Sequence, residues 1–257
     1  MTMDDKAVSV CMAAYNGSLY IRDQIRSILT ELHPQDEIVI VDDASVDGTA
    51  EIVAGIEDSR VRLVRQERNL GYVRTFEHAL RLARGDVIFL ADQDDLWVPG
   101  RRAALLGGLR SGGVAASNLS LLPDDAPLRS PVTGRPWMLR SSSSSAQKLG
   151  NELRILSGVA PYFGCAMAID RESLGRVLPF PAYLTESHDL WIATVANEAG
   201  ILHHVEDVTV RRRIHADNAS TSRPRGIGAA LRSRWLLVRL FFEARRRRLA
   251  AAALSSR

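Results

Sequence analysis

Cysteine is scarce in this sequence: Cys11 and Cys165 are the only two among 257 residues, far apart and each in an apolar run. Two such thiols exclude a disulfide framework and a thiolate metal cluster, and read as buried structural groups of a reducing compartment. Missing too is any run of about 18 consecutive apolar residues, the length a membrane-spanning helix needs. The opening segment, MTMDDKAVSV, lacks the cationic stretch, apolar stretch and small-residue cleavage site of an export signal. The expectation from both is a cytoplasmic protein. No glycine-rich Walker loop and no GxGxxG follows the first strand-like segment, so neither a P-loop NTPase nor a dinucleotide oxidoreductase is supported. No internal repeat is visible beyond an alternation of strands and helices.

What is present is ordinary globular composition, 46% hydrophobic and 25% charged, in a chain long enough for one large domain or two closely packed halves. The net charge of +3 is unevenly spread. Residues 223–257 hold ten arginines and one acid, Glu243, for +9, which leaves −6 on residues 1–222. A basic end on an acidic body suits an anionic partner or a solvated helix.

Along the chain, apolar residues alternate at Val8, Val10 and Met12, and Ile21, Ile25, Ile28, Leu29 and Leu32 then recur at helical spacing. EIVIV at Glu37 to Val41 is the unbroken run that a strand covered on both faces requires, and Ile52, Val53 and Ile56 mark a second helix. Val61 to Val64, the stripe Tyr72, Phe76, Ala79, Leu80 and Ala83, and VIFLA at Val87 to Ala91 continue the pattern. Strand-helix alternation with short connections predicts an α/β fold on a mostly parallel central sheet. Beyond Trp97 the spacing predicts a helix near Pro99 to Arg110, a strand near Val114 to Ser117, and a proline- and serine-rich loop or lid that includes Ser141 to Ser145. A strand at Gly164 to Asp170 follows, with Asp170 capping a short helix. A helix from about His188 to Ala199 and two short strands complete the body.

Ligands of such sheets bind beyond the carboxyl ends of the strands. Three polar clusters lie there: AAYNG after the first strand, DDAS after the second and DQDD after the fourth. Asp92, Asp94 and Asp95 crowd three carboxylates together, and like charges so close need a cation or donors to neutralise them. The Asp-x-Asp spacing of Asp92 and Asp94 suits a hard divalent ion, Mg²⁺ or Mn²⁺, with positions left for phosphate oxygens. In the second cluster Asp42 is the expected ligand to a nucleobase or ribose, with its neighbour Asp43 bracing the loop or capping a helix. His203 and His204 read as packing or surface residues.

AAYNG, IVIVDDASVDGT, RNLGYVRTFEHAL, VIFLADQDDLW, GCAMAI, HDLW and RIHADNAS occur in this order over roughly residues 7–222, and with them the sequence resembles glycosyltransferase family 2 and its GT-A fold. The DQDD-x-W, HD-x-W and R-x-H-x-x-N forms are similar to the branch of bacterial rhamnosyltransferases. The resemblance implies an inverting transferase moving rhamnose or another hexose from a nucleotide diphosphate, dTDP- or UDP-linked, to a saccharide or lipid-linked hydroxyl in polysaccharide synthesis. By the same resemblance Ala14, Tyr15 and Asp42 line the nucleotide pocket, with Arg74 near the base or phosphates. Asp92 and Asp94 hold metal and diphosphate, Asp94 most directly, His215 assists there, and Asp189 is the catalytic base. Arginine in RRRIH, where relatives often have an aromatic residue, is a departure. Two alternatives stay open, a nucleotidyltransferase and a non-catalytic nucleotide-sugar-binding protein on the same fold.

The expected organisation is a GT-A domain over residues 1–222, with a nucleotide-binding half at about 1–110 and an acceptor half at about 111–222, then a basic helical tail at 223–257. In the tail Ile227, Leu231, Trp235, Val238 and Phe242 share one helical face, widened by Leu236, Leu237, Leu240 and Phe241. That stripe needs a cover, and the candidates are the catalytic body, a second copy of the chain or an anionic membrane surface. Nucleic acid is disfavoured as a partner.

Overall fold

The structure, a computed structural model, describes residues 3–130, 133–143, 147–215 and 226–255. The first half runs β1 (Val8–Ala14), α1 (Ile21–Leu29), β2 (Glu37–Asp42), α2 (Thr49–Ala54), β3 (Val61–Arg65), α3 (Tyr72–Leu82), β4 (Val87–Ala91). The second half runs β5 (Leu96–Trp97), α4 (Arg101–Gly108), β6 (Val114–Leu121), β7 (Ala126–Pro127), α5 (Lys148–Ser157), β8 (Met167–Asp170), α6 (Arg171–Val177), α7 (His188–Ala199), β9 (Leu202–Arg212) and α8 (Ile227–Ser255). One nine-stranded sheet has the order β3-β2-β1-β4-β8-β6-β9-β5, with β7 paired to β6.

The α/β expectation holds: most of the strand pairing is parallel, with short antiparallel pairings in the second half of the sheet. Strands β3, β2, β1 and β4 are parallel, whereas β8 lies antiparallel between β4 and β6. No helix separates β4 from the two-residue β5 that follows it, and β8 enters through a single 3₁₀ turn at Gly164–Ala166. In the second half β6 and β9, separated by α5, α6 and α7, are again parallel, while β8, β5 and β7 pair antiparallel with their neighbours.

Helices cover both faces, which is why the central strands are apolar without interruption. In β4, Val87, Phe89 and Ala91 enter a core against α1 and α4, while Ile88 and Leu90 enter the opposite core against α3 and α7. Ile21, Ile25 and Ile28 of α1 are fully buried; each contributes roughly 1.5–3 kcal/mol by leaving water. Helix α7 is buried from Trp191 to Asn197 because the sheet lies on one side and α8 closes the other with Leu237, Leu240 and Ala244. Asp170 caps α6 by accepting a hydrogen bond from Ser173 N at 2.6 Å.

Three second-half expectations change. Ser141–Ser143 form a 3₁₀ turn, Ser144 and Ser145 lie outside the described residues, and the unforeseen α5 follows. The two short strands expected after α7 are one, β9, whose register against β6 shifts near Ala116 and Asn118. Among the described residues no helix is long and apolar enough to cross a membrane.

Candidate active site

A cleft of about 810 Å³ opens at the carboxyl ends of β1 and β4, walled by α3, the start of α7 and the end of β9. Its floor is set by main chain. Gln93 clasps Tyr15 from both sides, accepting from Tyr15 N at 2.8 Å and donating to Tyr15 O at 2.9 Å. Gly17 lies against the same carboxamide, and a Cβ there would push Gln93 out of this position. Asn16, at φ 47°, donates through its N–H to Ser45 Oγ and accepts from Val46 N, which ties the loop after β1 to the loop after β2.

On one wall stand the acids that follow β4. Asp92 is pushed up to about 8 by burial and by the neighbouring Asp95 and Asp94. Asp95 lies beneath, 2% exposed, raised to about 6 by burial and by Asp94. Its Oδ1 accepts from Arg213 N at 3.1 Å, and its Oδ2 has no hydrogen-bond partner among the described residues. Asp94 is held by His215, Nε2 to Oδ2 at 2.6 Å, and the His215 ring lies against Tyr20 with centroids 5.0 Å apart. Arg212 reaches the same wall with its guanidinium 5.2 Å from the Phe163 ring centroid. Burial disfavours its charge, yet Cys165, Asp92, Asp95 and Asp94 around it hold the proton more tightly than usual.

Asp189 also lines the cleft; it occupies the first turn of α7 and accepts from Leu190 N at 2.8 Å. Burial raises its carboxyl to about 6, against the lowering effect of backbone donors that include Gly164. Ser187, at φ 60°, sets the start of this helix and donates through its N–H to Tyr72 Oη at 3.0 Å. His188 is stacked on Phe76 with centroids 4.4 Å apart, and burial pushes it down to about 3, so it is a neutral ring. Gly164 passes close over that ring; a Cβ would lie 2.7 Å from His188 Nε2.

Of the residues singled out from sequence, the cleft brings together Ala14, Tyr15, Asp92, Asp94, Asp189 and His215. Two do not line it. Asp42 is fully buried, its Oδ2 accepting from Ser45 N at 3.1 Å with Arg65 Nε at 3.6 Å. The cleft-lining acid is Asp43, which also accepts from Gln66 Nε2 and from the N–H groups of Leu70 and Gly71. Strand alternation is the reason: Asp42 shares the parity of Ile38 and Ile40, which face α1 and α2, and Asp43 that of Val41, which faces α3. Arg74 is likewise off the cleft lining. It bonds Glu77 at 2.6 Å and the carbonyls of Pro181, Ala182 and Leu184, pinning the loop that leads to α7. Sequence reasoning missed Asp43, Tyr20, Phe163, Gly164 and His188 as lining, and left Arg212 as a departure; it is a charged member of the wall. Asn218 of the final motif lies outside the described residues.

The residues present fit a hard divalent cation. Three neighbouring carboxylates repel one another, as the raised Asp92 and Asp95 show, and Arg212 is one cation against them. Asp92, Asp95 and Cys165 have donor atoms within 4.8 Å of one another. The Cys165 thiol is raised well above its usual range by burial, which leaves it protonated and a poor ligand. Asp94, bonded to His215, lines the same wall and is an oxygen donor of the kind a hard cation prefers.

The model of the family described as glycosyl transferase family 2 matches residues 9–177. A putative teichuronic acid biosynthesis glycosyltransferase of Bacillus subtilis, TuaG, is 39% identical over 99 residues, which is 38% of this chain and 39% of that protein. The chain thus matches about two fifths of that relative's length. Among solved structures, Staphylococcus aureus TarS 1–349 in complex with UDP-GlcNAc superposes with a TM-score of 0.67 at 18% identity, over 91% of this chain and 66% of that one. The mannosyltransferase PcManGT of Pyrobaculum calidifontis, in complex with GDP-Man and Mn²⁺, gives 0.58 at 20% identity, over 98% and 75%. Those two likenesses establish the GT-A fold, and the family match, over more than half of the chain, establishes the rest: this chain belongs to glycosyl transferase family 2.

Proposed function

We propose that the chain is an inverting, divalent-metal-dependent hexosyltransferase that moves a sugar, rhamnose in the narrowest reading, from a nucleotide diphosphate to a hydroxyl acceptor in bacterial polysaccharide synthesis. The observation that carries this is one cleft lined by Asp92, Asp94, His215 and Arg212 together with Asp189. In this reading the first four meet the diphosphate and Asp189 meets the incoming hydroxyl. Support for the donor class comes from UDP-GlcNAc and GDP-Man in the two solved relatives, and for the process from the teichuronic acid role given to the Bacillus protein.

The chain's own residues divide the work as follows. Asp189 takes the proton of the acceptor hydroxyl as its oxygen bonds to the anomeric carbon, and the bond from that carbon to the phosphate oxygen breaks on the far side. Arg212 receives negative charge on the departing diphosphate, and the main chain of Ala14 and Tyr15, fixed by Gln93, positions the nucleoside end together with Asp43. Mg²⁺ or Mn²⁺ held by Asp92 and Asp94 with His215, when bound, supplies Lewis-acid stabilisation of the same diphosphate. A single displacement by the hydroxyl that Asp189 deprotonates gives inversion at the anomeric carbon.

The test is Asp189→Asn with a nucleotide-sugar donor and a hydroxyl acceptor. Turnover is expected to fall by roughly 10²–10⁴-fold with nucleotide affinity intact, and the wild-type product to show inverted anomeric configuration by NMR. Undiminished turnover in the variant, or a retained configuration, overturns the assignment.

A further inference from the structure

Helix α8 has two apolar faces, and the fold covers one. Leu237, Leu240 and Ala244 are buried in the core beside α7. Leu231, Trp235, Phe242 and Leu249 are 65%, 65%, 63% and 57% exposed. Their spacings of four, seven and seven place all four within roughly 40° of one line along the helix, on the side turned away from the buried trio. Single exposed apolar residues are ordinary, but an aligned row with two aromatics marks an interaction surface.

The flanks of this row are basic. By the same helical geometry Arg232, Arg239 and Arg246 run along one side and Arg234 and Arg245 along the other, all exposed. The helix has one acid, Glu243, mostly buried and engaged by both Arg246 and Arg247. The helix itself therefore places no acid within the row. The neighbouring α5 adds exposed Leu149, 75%, and Leu153, 60%.

We propose that this face of α8 is a docking surface for an anionic lipid bilayer, the helix lying in the interface with Leu231, Trp235, Phe242 and Leu249 in the acyl boundary and the arginines at the headgroups. Charge selects this occupant. A second copy of the chain would oppose two arginine-lined faces with no carboxylate in either row. Nucleic acid would satisfy the arginines and leave the apolar row in water. A bilayer surface with acidic headgroups meets both. The proposal is independent of the transfer reaction.

The experiment is co-sedimentation of the full chain with vesicles of phosphatidylcholine alone or of equal phosphatidylcholine and phosphatidylglycerol. The partition coefficient is expected to be at least tenfold higher on the anionic vesicles, to fall in 0.5 M NaCl, and to fall at least tenfold in Trp235→Ser/Phe242→Ser. Both side chains are exposed, so the variant should keep the wild-type circular dichroism and melting midpoint. Equal partition to both vesicle types, or no partition, overturns the proposal. So does a dimer in light scattering that the double variant dissociates without any lipid binding, or RNA binding that the double variant leaves unchanged while vesicles are ignored.

Discussion

Asp189 stands in the first turn of a helix whose N–H groups favour its charge, yet burial wins and lifts the carboxyl to about 6. A base must be unprotonated to act, so turnover under saturating donor should fall as pH drops through about 6, roughly two pH units above the point at which an ordinary aspartate would lose its charge. A kcat profile flat down to pH 4.5 would show that Asp189 is not the group that takes the proton. The same scale shows what one residue of parity does. Residue types and strand ends could place an aspartate pair after β2, but which member faced the ligand depended on which helical layer held the cleft, and no spacing along the chain states that. That Arg74 lies off the cleft lining was hidden for a related reason: its three carbonyl partners lie more than a hundred positions away in sequence. That Asp92, Asp94, Asp189 and His215 would share one cleft could be anticipated because each belongs to a short motif next to a strand or helix end.

Among the elements, β1 to β4 and α1 to α3 were legible because apolar periodicity and burial coincide in them. Helix α5 was not: it buries Asn151, Glu152 and Ile155 and exposes Leu149 and Leu153, so its pattern is inverted relative to a core helix. What locks the well-read half together is polar and invisible to periodicity. Asp36, fully buried at its carboxylate, accepts from Val8 N at 2.8 Å, from His33 N at 2.8 Å and from Arg102 Nε at 3.1 Å. Arg102 of α4 also bonds Asp4 and the carbonyls of Asp4 and Lys6, joining α4 to the start of β1 and the turn before β2. Removing one member of such a pair strands the other. Arg102→Met is expected to lower unfolding free energy by about 3 kcal/mol, read as a drop in the chemical-denaturation midpoint. A change below about 0.5 kcal/mol would mean that the pair adds nothing beyond its packing.

For the whole molecule, one mixed sheet with helices on both faces gathers into a single cleft the segments after β1, β2 and β4, the start of α3, the turn before β8, the start of α7 and the end of β9. The segments differ in kind: backbone and an amide fix the floor, acids with a histidine and an arginine form one wall, and a raised carboxyl stands at the start of α7. Their convergence is a property of topology, and the order of motifs could signal it only through resemblance. The central claim is that this wall binds a nucleotide diphosphate through a divalent cation. Calorimetric titration with UDP, dTDP and GDP, each with Mn²⁺ or Mg²⁺ and with chelator, on wild type and Asp94→Ala, tests it directly. The account predicts tight binding of one nucleotide with metal, at least tenfold weaker binding with chelator, and a comparable loss in Asp94→Ala. Binding that is indifferent to chelator and to Asp94→Ala, or no binding of any nucleotide by folded protein, would contradict it.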